Sequence, residues 1–401
     1  MLLSFCDPFS QQCLELRTLS RRQWQHLLRW LDLSGLALYF FDRLVELQLS
    51  HLLPAPVLTR LLENLQDNTE RTRGMAAESI AIQQGFKDAG LRYAILKGLS
   101  LCPSSVPRPE VRSQMDLDFL VAEEDLPQAR NILAHRGYRL YGASGRSWEF
   151  KRNEKPGITL KDLYKHVDSW VVELHVESSA PSRPSLLDRL EWRELYGFSM
   201  PVLSPVDLFL RQGLHAFKHI CGEFARAAHL VEFRRHVLFR AADNAFWDEL
   251  HSVAKENPRA PLGLGVVTLL ISRVMGEFAP EALTRWTVDR LPRSAQLWVE
   301  LYGHRAALGN FPGSKLYLLL QTELEATGVP AGTPLRQSLI PSCLPPPVIR
   351  AFPGEAFSVR LGRYRMQVNL IWNRLRFHIV EGLRFALELR RWRRHLKRVA
   401  Q

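Results

Sequence analysis

From Leu14 to about Gly90 apolar residues recur at three- and four-residue spacing, and beyond Gly90 they gather into short unbroken runs. The first pattern predicts helices. Ser20 stands where it can cap a helix holding Trp24, Leu27, Leu28 and Leu31. Pro54 and Pro56 mark a loop before a helix from Val57 to Gln66, and Asn68 and Arg71 open a longer helix through Gln84. The second pattern predicts buried strands at Tyr93 to Leu96 and Phe119 to Val121. Between further strands lies a helix with acids at its start, Glu123, Glu124 and Asp125, a buried face of Leu126, Ala129, Ile132 and Leu133, and Gly137 at its end. Tyr138 to Tyr141 and Trp148 to Lys151 read as antiparallel strands joined by a Gly142 to Gly145 turn. Val171 to Val176 alternates like a strand, while Ile158 to Asp168, with Lys161, Lys165 and His166, has no clear period.

Pro181 to Pro184 reads as an exit from this region, with Leu186 to Tyr196 still packed against it. Helical spacing returns at Ser204-Pro205-Val206-Asp207, where Ser is the cap and Pro the first helical residue, and it holds to about Leu320. A linker, Pro341 to Pro347, then introduces one or two long helices from Arg360 to Arg398. The expected organisation is a helical region over 1–88, an α/β core over 89–200, a second helical region over 201–335, and a linker with a basic amphipathic helix over 336–401.

Composition sharpens this picture only in part. A chain of 401 residues, 46% hydrophobic and 23% charged, can bury a sizeable core and is not a disordered chain. Its formal charge of +12 makes an anionic partner plausible, and the arginines among Trp372, Phe377, Phe385 and Trp392 concentrate that charge near the end. That helix suits nucleic acid, an anionic membrane surface, or packing on its own protein with arginines outward. Five scattered cysteines, with no Cys-x-x-Cys pair, indicate neither a zinc ribbon nor a disulfide framework and fit a reducing cytoplasm. No apolar stretch approaches the roughly 20 residues of a membrane-spanning helix, and the start of the chain lacks the basic flank of a signal peptide.

The chemistry gathers around the two strands. Asp116 and Asp118 enter the second run two apart, so alternation puts both carboxylates on one side of the sheet. Like charges that close call for a cation between them. Lys97, Gly98 and Ser100 follow the first run in a turn whose backbone N–H groups suit an anion. His175 ends a strand two residues after Glu173, on the same face, either as a hydrogen-bond partner of metal carboxylates or as a satisfied rim histidine. His215 and His219 are four apart on one helix face, a spacing open to metal binding, to lining an acceptor site, or to packing. A second basic helix follows with Arg226, His229, Glu232, Arg234 and Arg235.

Leu96-Lys97-Gly98, Arg112, Asp116-x-Asp118-x-Leu120-Val121 and Glu173-Leu174-His175 together resemble the nucleotidyltransferase superfamily of DNA polymerase beta, and within it a bacterial nucleotidyltransferase family. The resemblance covers about the first two-thirds of the chain, and the third carboxylate, commonly Asp in that family, is Glu173 here. It implies an α+β fold with a mixed sheet, flanked by N- and C-terminal helical regions. It also implies Mg2+-dependent transfer of a nucleoside monophosphate from an NTP to an acceptor, which is a small molecule, RNA or protein, with release of pyrophosphate. Asp116, Asp118 and Glu173 would hold two Mg2+ ions, Lys97, Gly98 and Ser100 would receive the triphosphate, and Arg112 would bind phosphate or hold Asp116 in place. The rival expectation is a non-catalytic descendant that binds nucleotide, RNA or a partner through the same scaffold.

Overall fold

The computed structural model describes residues 11–152, 160, 162–167, 170–177, 184–326, 338–339 and 356–399. Lys161, the exit at Pro181 and the linker from Pro341 to Pro347 lie outside the described residues. The chain forms two compact units, the first drawn from 1–153, 159–212 and 231–253, the second from 213–230 and 254–401.

The first unit is α+β, built on a seven-stranded mixed sheet. Its strands are β1 (Tyr93–Leu96), β2 (Asp116–Val121), β3 (Arg139–Ser144), β4 (Ser147–Lys151), β5 (Val171–Val176), β6 (Leu190–Leu195) and β7 (Phe198–Leu203). Their order is β3-β4-β5-β2-β1-β7-β6. β2 lies antiparallel to β1 and parallel to β5, and β7 lies parallel to β1. Leu117, Phe119 and Val121 of β2 join one hydrophobic core with Met75, Ile82 and Phe86. Phe86 meets Tyr93 and Phe119 edge to face, with ring centroids 5.3 and 5.6 Å apart. Because successive side chains alternate, the burial of this apolar face leaves Asp116 and Asp118 on the other.

Before the sheet come α1 (Arg21–Ser34), α2 (Ala37–Glu46) and α3 (Ala55–Asp88). Ser20 caps α1 as expected, in a reciprocal pair with Gln23. The two helices expected between Val57 and Gln84 are one, of 34 residues, with Pro54 as its cap residue and Pro56 inside its first turn. Proline at that position costs no hydrogen bond. Asn68 and Arg71 are therefore mid-helix and buried, and their side-chain N–H groups donate to loop carbonyls outside the helix.

After β2 the chain turns into α4 (Leu126–His135), which buries Ala129 and Leu133. Its acidic lead-in does not cap it: Asp125 instead accepts a hydrogen bond from the Arg92 backbone N–H, 2.8 Å. The β3–β4 hairpin is longer than expected, since Gly142 lies within β3 and only Gly145-Arg146 remain as the loop, between paired Ser144 and Ser147. β6 and β7 form a second hairpin, in a stretch expected only to pack against the core. Charged Glu191, Arg193 and Glu194 lie on β6, an edge strand, which tolerates them, while Pro201 lies within β7, between β1 and β6. Its turn, Tyr196-Gly197, has φ of +52° and +72°, the double left-handed geometry that suits a two-residue hairpin.

Helices α5 (Pro205–Ile220), α6 (Ala227–Phe239) and α7 (Asn244–Ala254) follow. Ser204 caps α5 as expected, accepting from the Asp207 N–H at 3.2 Å. Residues 213–230, the end of α5, the connection and the start of α6, belong to the second unit. That unit also contains α8 (Ala260–Met275), α9 (Glu281–Thr284), α10 (Arg293–Leu308), α11 (Tyr317–Ala326) and α12 (Phe357–Val399). α12 is a single helix that buries Phe377, Phe385 and Trp392, and the Trp392 indole donates to Glu323 at 3.2 Å. Trp372 stays exposed. Among the described residues no helix is long and apolar enough to cross a membrane.

Candidate active site

Strand register assembles the acidic cluster. Parallel pairing sets Asp118 beside Glu173 and Leu120 beside His175, while antiparallel pairing sets Asp118 beside Leu96, so Lys97 emerges next to it. The Lys97 ammonium donates to Asp118 Oδ1 at 2.7 Å and lies 3.9 Å from Glu173 Oε2. The His175 Nε2–H donates to the same Asp118 oxygen at 2.9 Å and lies 3.4 Å from Glu173 Oε2. Ser147 of β4 donates to the other oxygen of Glu173. One ligand atom each of Asp118, Glu173 and His175 falls within 4.8 Å of the other two. Asp116 is not one of these three; it acts on them through its charge.

Burial makes those charges matter. Asp116 is pushed up to about 6, first by burial and then by the Asp118 carboxylate, against the pull of Lys97 and Arg112. Glu173 moves the other way, well below the carboxylate range, chiefly through its hydrogen bond with His175 and against the effect of burial. Burial alone would weaken the positive charges of Lys97 and His175, but the Asp118 carboxylate outweighs it and holds both above their ordinary values. Asp118 Oδ2 is buried with no hydrogen-bond partner. An unpartnered carboxylate oxygen among hard oxygen donors is what a magnesium ion would use, and the residues present fit that ion.

The turn after β1 is strained where it meets this cluster. Lys97 has φ of +50°, a conformation that costs a non-glycine residue on the order of 1 kcal/mol. Gly98 also has positive φ, and a Cβ there would stand 2.0 Å from Gln114 Nε2, the group that donates to the Asp116 carbonyl at 2.7 Å. Glycine is thus required for Gln114 to reach Asp116. Ser100 does not face the cleft: it is fully buried, and its hydroxyl donates to the Lys97 carbonyl at 2.8 Å, bracing the turn.

Arg112 is hydrogen-bonded to Glu232 rather than to the carboxylate cluster, and its charge acts on Asp116. Its Nε–H donates to Glu232 Oε1 at 2.9 Å, and the Tyr39 hydroxyl donates to that same oxygen at 3.0 Å. Burial opposes the arginine's charge, but Glu232 holds the guanidinium firmly protonated. Burial and Glu232 together push the Tyr39 hydroxyl well above its ordinary value. Around this knot α3 grips the approach to β2. Asn68 donates to the carbonyls of Glu110 and Arg112 at 2.6 and 3.2 Å, and Arg71 to those of Gln114 and Lys165 at 3.2 and 2.9 Å. The supporting roles of Asn68, Arg71 and Glu232 had no signal in the sequence beyond polar residues on helices, and that of Ser147, at the start of β4, had none.

His215 and His219 lie together on α5, as their spacing requires, with rings 4.6 Å apart. A third histidine that the sequence did not single out as their partner joins them. His229 of α6 lies 4.9 Å from the His215 ring and 4.7 Å from that of His219.

Comparison with known proteins places these observations. No curated protein sequence matches the chain. Among solved structures, the chain is similar to the antibiotic-resistance factor ANT(2'')-Ia, at 12% identity over 48% of this chain and 100% of that one, with a TM-score of 0.30. It is also similar to an antigenic nucleotidyltransferase-like protein from Paracoccidioides brasiliensis, at 14% identity over 52% of this chain and 94% of that one, with a TM-score of 0.31. The family described as uncharacterised nucleotidyltransferase matches residues 20–271, which takes in the whole sheet and the acidic cluster, and the chain belongs to that family.

Proposed function

We propose that the protein transfers a nucleoside monophosphate from an NTP to an acceptor nucleophile in a Mg2+-dependent reaction. The observation that carries this reading is the β1–β2–β5 register, which gathers Lys97, Asp118 and Glu173 around a buried carboxylate oxygen that has no partner. Asp116, Asp118 and Glu173 would hold magnesium, which when bound offsets charge on the triphosphate and on the attacking oxygen. The acceptor oxygen forms a bond to the α-phosphorus as the bond to the β-phosphate bridge oxygen breaks. Pyrophosphate carries away the electron pair, and the acceptor's proton passes to a nearby base.

The chain's own groups divide the remaining work. Lys97 is poised to turn from Asp118 toward an incoming phosphate, since its ammonium keeps its charge in this buried place. Gly98 lets backbone donors of the turn approach the same anion, and Ser100 keeps that turn in shape. His175 and Ser147 orient Glu173 and, with Arg112 and Gln114 behind Asp116, keep the carboxylates in position.

One observation favours a second reading, a scaffold that binds nucleotide without turning it over. Lys97 and His175 already donate hydrogen bonds to Asp118 Oδ1 from within the chain. Incubation with each labelled NTP, Mg2+ and a cell extract, followed by separation of protein, RNA and small molecules, distinguishes the two. Label transferred to one fraction by the wild type and lost in Asp118→Asn supports the enzyme and names the acceptor class. Nucleotide binding without transfer in any fraction supports the scaffold.

A further inference from the structure

We propose that His215, His219 and His229 form a binding site for a divalent transition-metal ion of the zinc class. This inference does not depend on the nucleotide-transfer reading. Helical spacing puts His215 and His219 one turn apart on α5, and the connection from Cys221 to Arg226 returns the chain so that His229, in the first turn of α6, faces both. The three rings close a triangle with sides of 4.6, 4.9 and 4.7 Å, and one nitrogen from each lies within 4.8 Å of the other two. His229 is buried and the other two are half-buried, so the cluster is shielded without being sealed.

Chemistry distinguishes this triangle from packing. Aromatic contact alone needs two rings in an edge or stacked pair. Three imidazoles with a nitrogen of each within 4.8 Å of the other two cannot all be protonated without mutual repulsion, and each neutral imidazole carries a lone pair that a metal ion can take. Zinc bound at about 2.0–2.1 Å to each nitrogen would hold them about 3.4 Å apart, a small closure from the present spacing that ring rotation supplies. Nitrogen donors select zinc or a neighbouring transition ion over magnesium, which takes oxygen. Three histidines also leave a fourth position for water or a small anion. The ion would clip the end of α5 to the start of α6.

Full-length protein stripped with a chelator and titrated with Zn2+ against a chromophoric competitor should bind one ion per chain, and His219→Gln and His229→Gln should each weaken binding at least 100-fold. Asp118→Asn should leave that affinity unchanged, because its carboxylate belongs to the other cluster. Co2+ in place of zinc should give the intense visible bands of a four-coordinate site, lost in the histidine variants. Zinc affinity unchanged in both histidine variants, or lost in Asp118→Asn, would overturn the site. If the variants fail to fold, X-ray absorption on the zinc-loaded wild type decides: three imidazole nitrogens around zinc uphold the proposal, and fewer than three overturn it.

Discussion

The acidic cluster on the sheet and the histidine cluster at the α5–α6 connection are both sets of three ligand atoms within 4.8 Å, yet the fold builds them in opposite ways. Asp118, Glu173 and His175 come from two strands, positioned by backbone pairing across the sheet. They come already partnered, with the Lys97 ammonium bonded to Asp118 and the Ser147 hydroxyl to Glu173. His215, His219 and His229 come from two consecutive helices, and no carboxylate belongs to the converging set. Oxygen donors with an adjacent ammonium suit a hard cation and a polyphosphate, whereas nitrogen donors suit a borderline transition ion. The two sets thus differ in the donors they present.

The largest test of that contrast removes one acid. Asp118→Asn should reduce nucleotide transfer by about a thousandfold or more, roughly 4 kcal/mol of transition-state stabilisation, with zinc affinity untouched. Transfer surviving within tenfold of the wild type would detach the acidic cluster from catalysis. A support comes next. Glu232→Ala leaves the buried Arg112 guanidinium and the Tyr39 hydroxyl without their shared acceptor, and should cost about 3 kcal/mol of stability in urea unfolding. A loss below 1 kcal/mol would mean that this knot does not hold the approach to β2.

His175→Gln should be milder. Removing the group that orients Glu173 and shares Asp118 should lower transfer by about 10- to 100-fold without a comparable loss of stability, read from kcat and from the thermal midpoint together. An unchanged kcat would make His175 a rim residue.

The shallowest effect, about 1 kcal/mol for each pH unit, belongs to a histidine in neither cluster. His236 is buried among Phe209 and Phe246, with Nδ1–H donating to Gln212 Oε1 at 2.8 Å. Burial first, and then the charges of Arg240 and Arg193, lower it to about 3. The unfolded chain takes up this proton near pH 6.5 and the folded chain does not, so the stability His236 contributes is complete above pH 6.5 and lost as pH falls toward 3. Unfolding free energy should drop by about 1 kcal/mol per pH unit in that window, and His236→Gln should flatten the slope. An unaltered slope in the variant would assign the acid sensitivity to other groups.

How much of this was legible can be traced residue by residue. Tyr93–Leu96, Asp116–Val121 and Val171–Val176 appear as strands because each is a short apolar or alternating run bounded by polar residues. The caps of α1 and α5 were likewise legible, since Ser20 and Ser204 act on residues three positions away. The α3 break was misread because a buried Arg71 and Asn68 look like surface residues until the loop carbonyls they bind are in view. The β6–β7 hairpin was not legible because the edge strand β6 carries charges and the inner strand β7 carries Pro201, and both mask a strand pattern. The bond from Arg112 to Glu232 was not legible because the two lie 120 residues apart.

The sequence by itself determined what short-range backbone geometry controls: alternation puts Asp116 and Asp118 on one face, and helical pitch puts His215 beside His219. Only the tertiary structure decided which residues meet across elements: Glu173 beside Asp118, Glu232 under Arg112, Lys97 on Asp118, and His229 closing the histidine triangle. The physical reason is that local periodicity is fixed by the chain's own dihedral angles, while strand register and helix convergence follow from burying apolar surface shared by segments far apart in sequence.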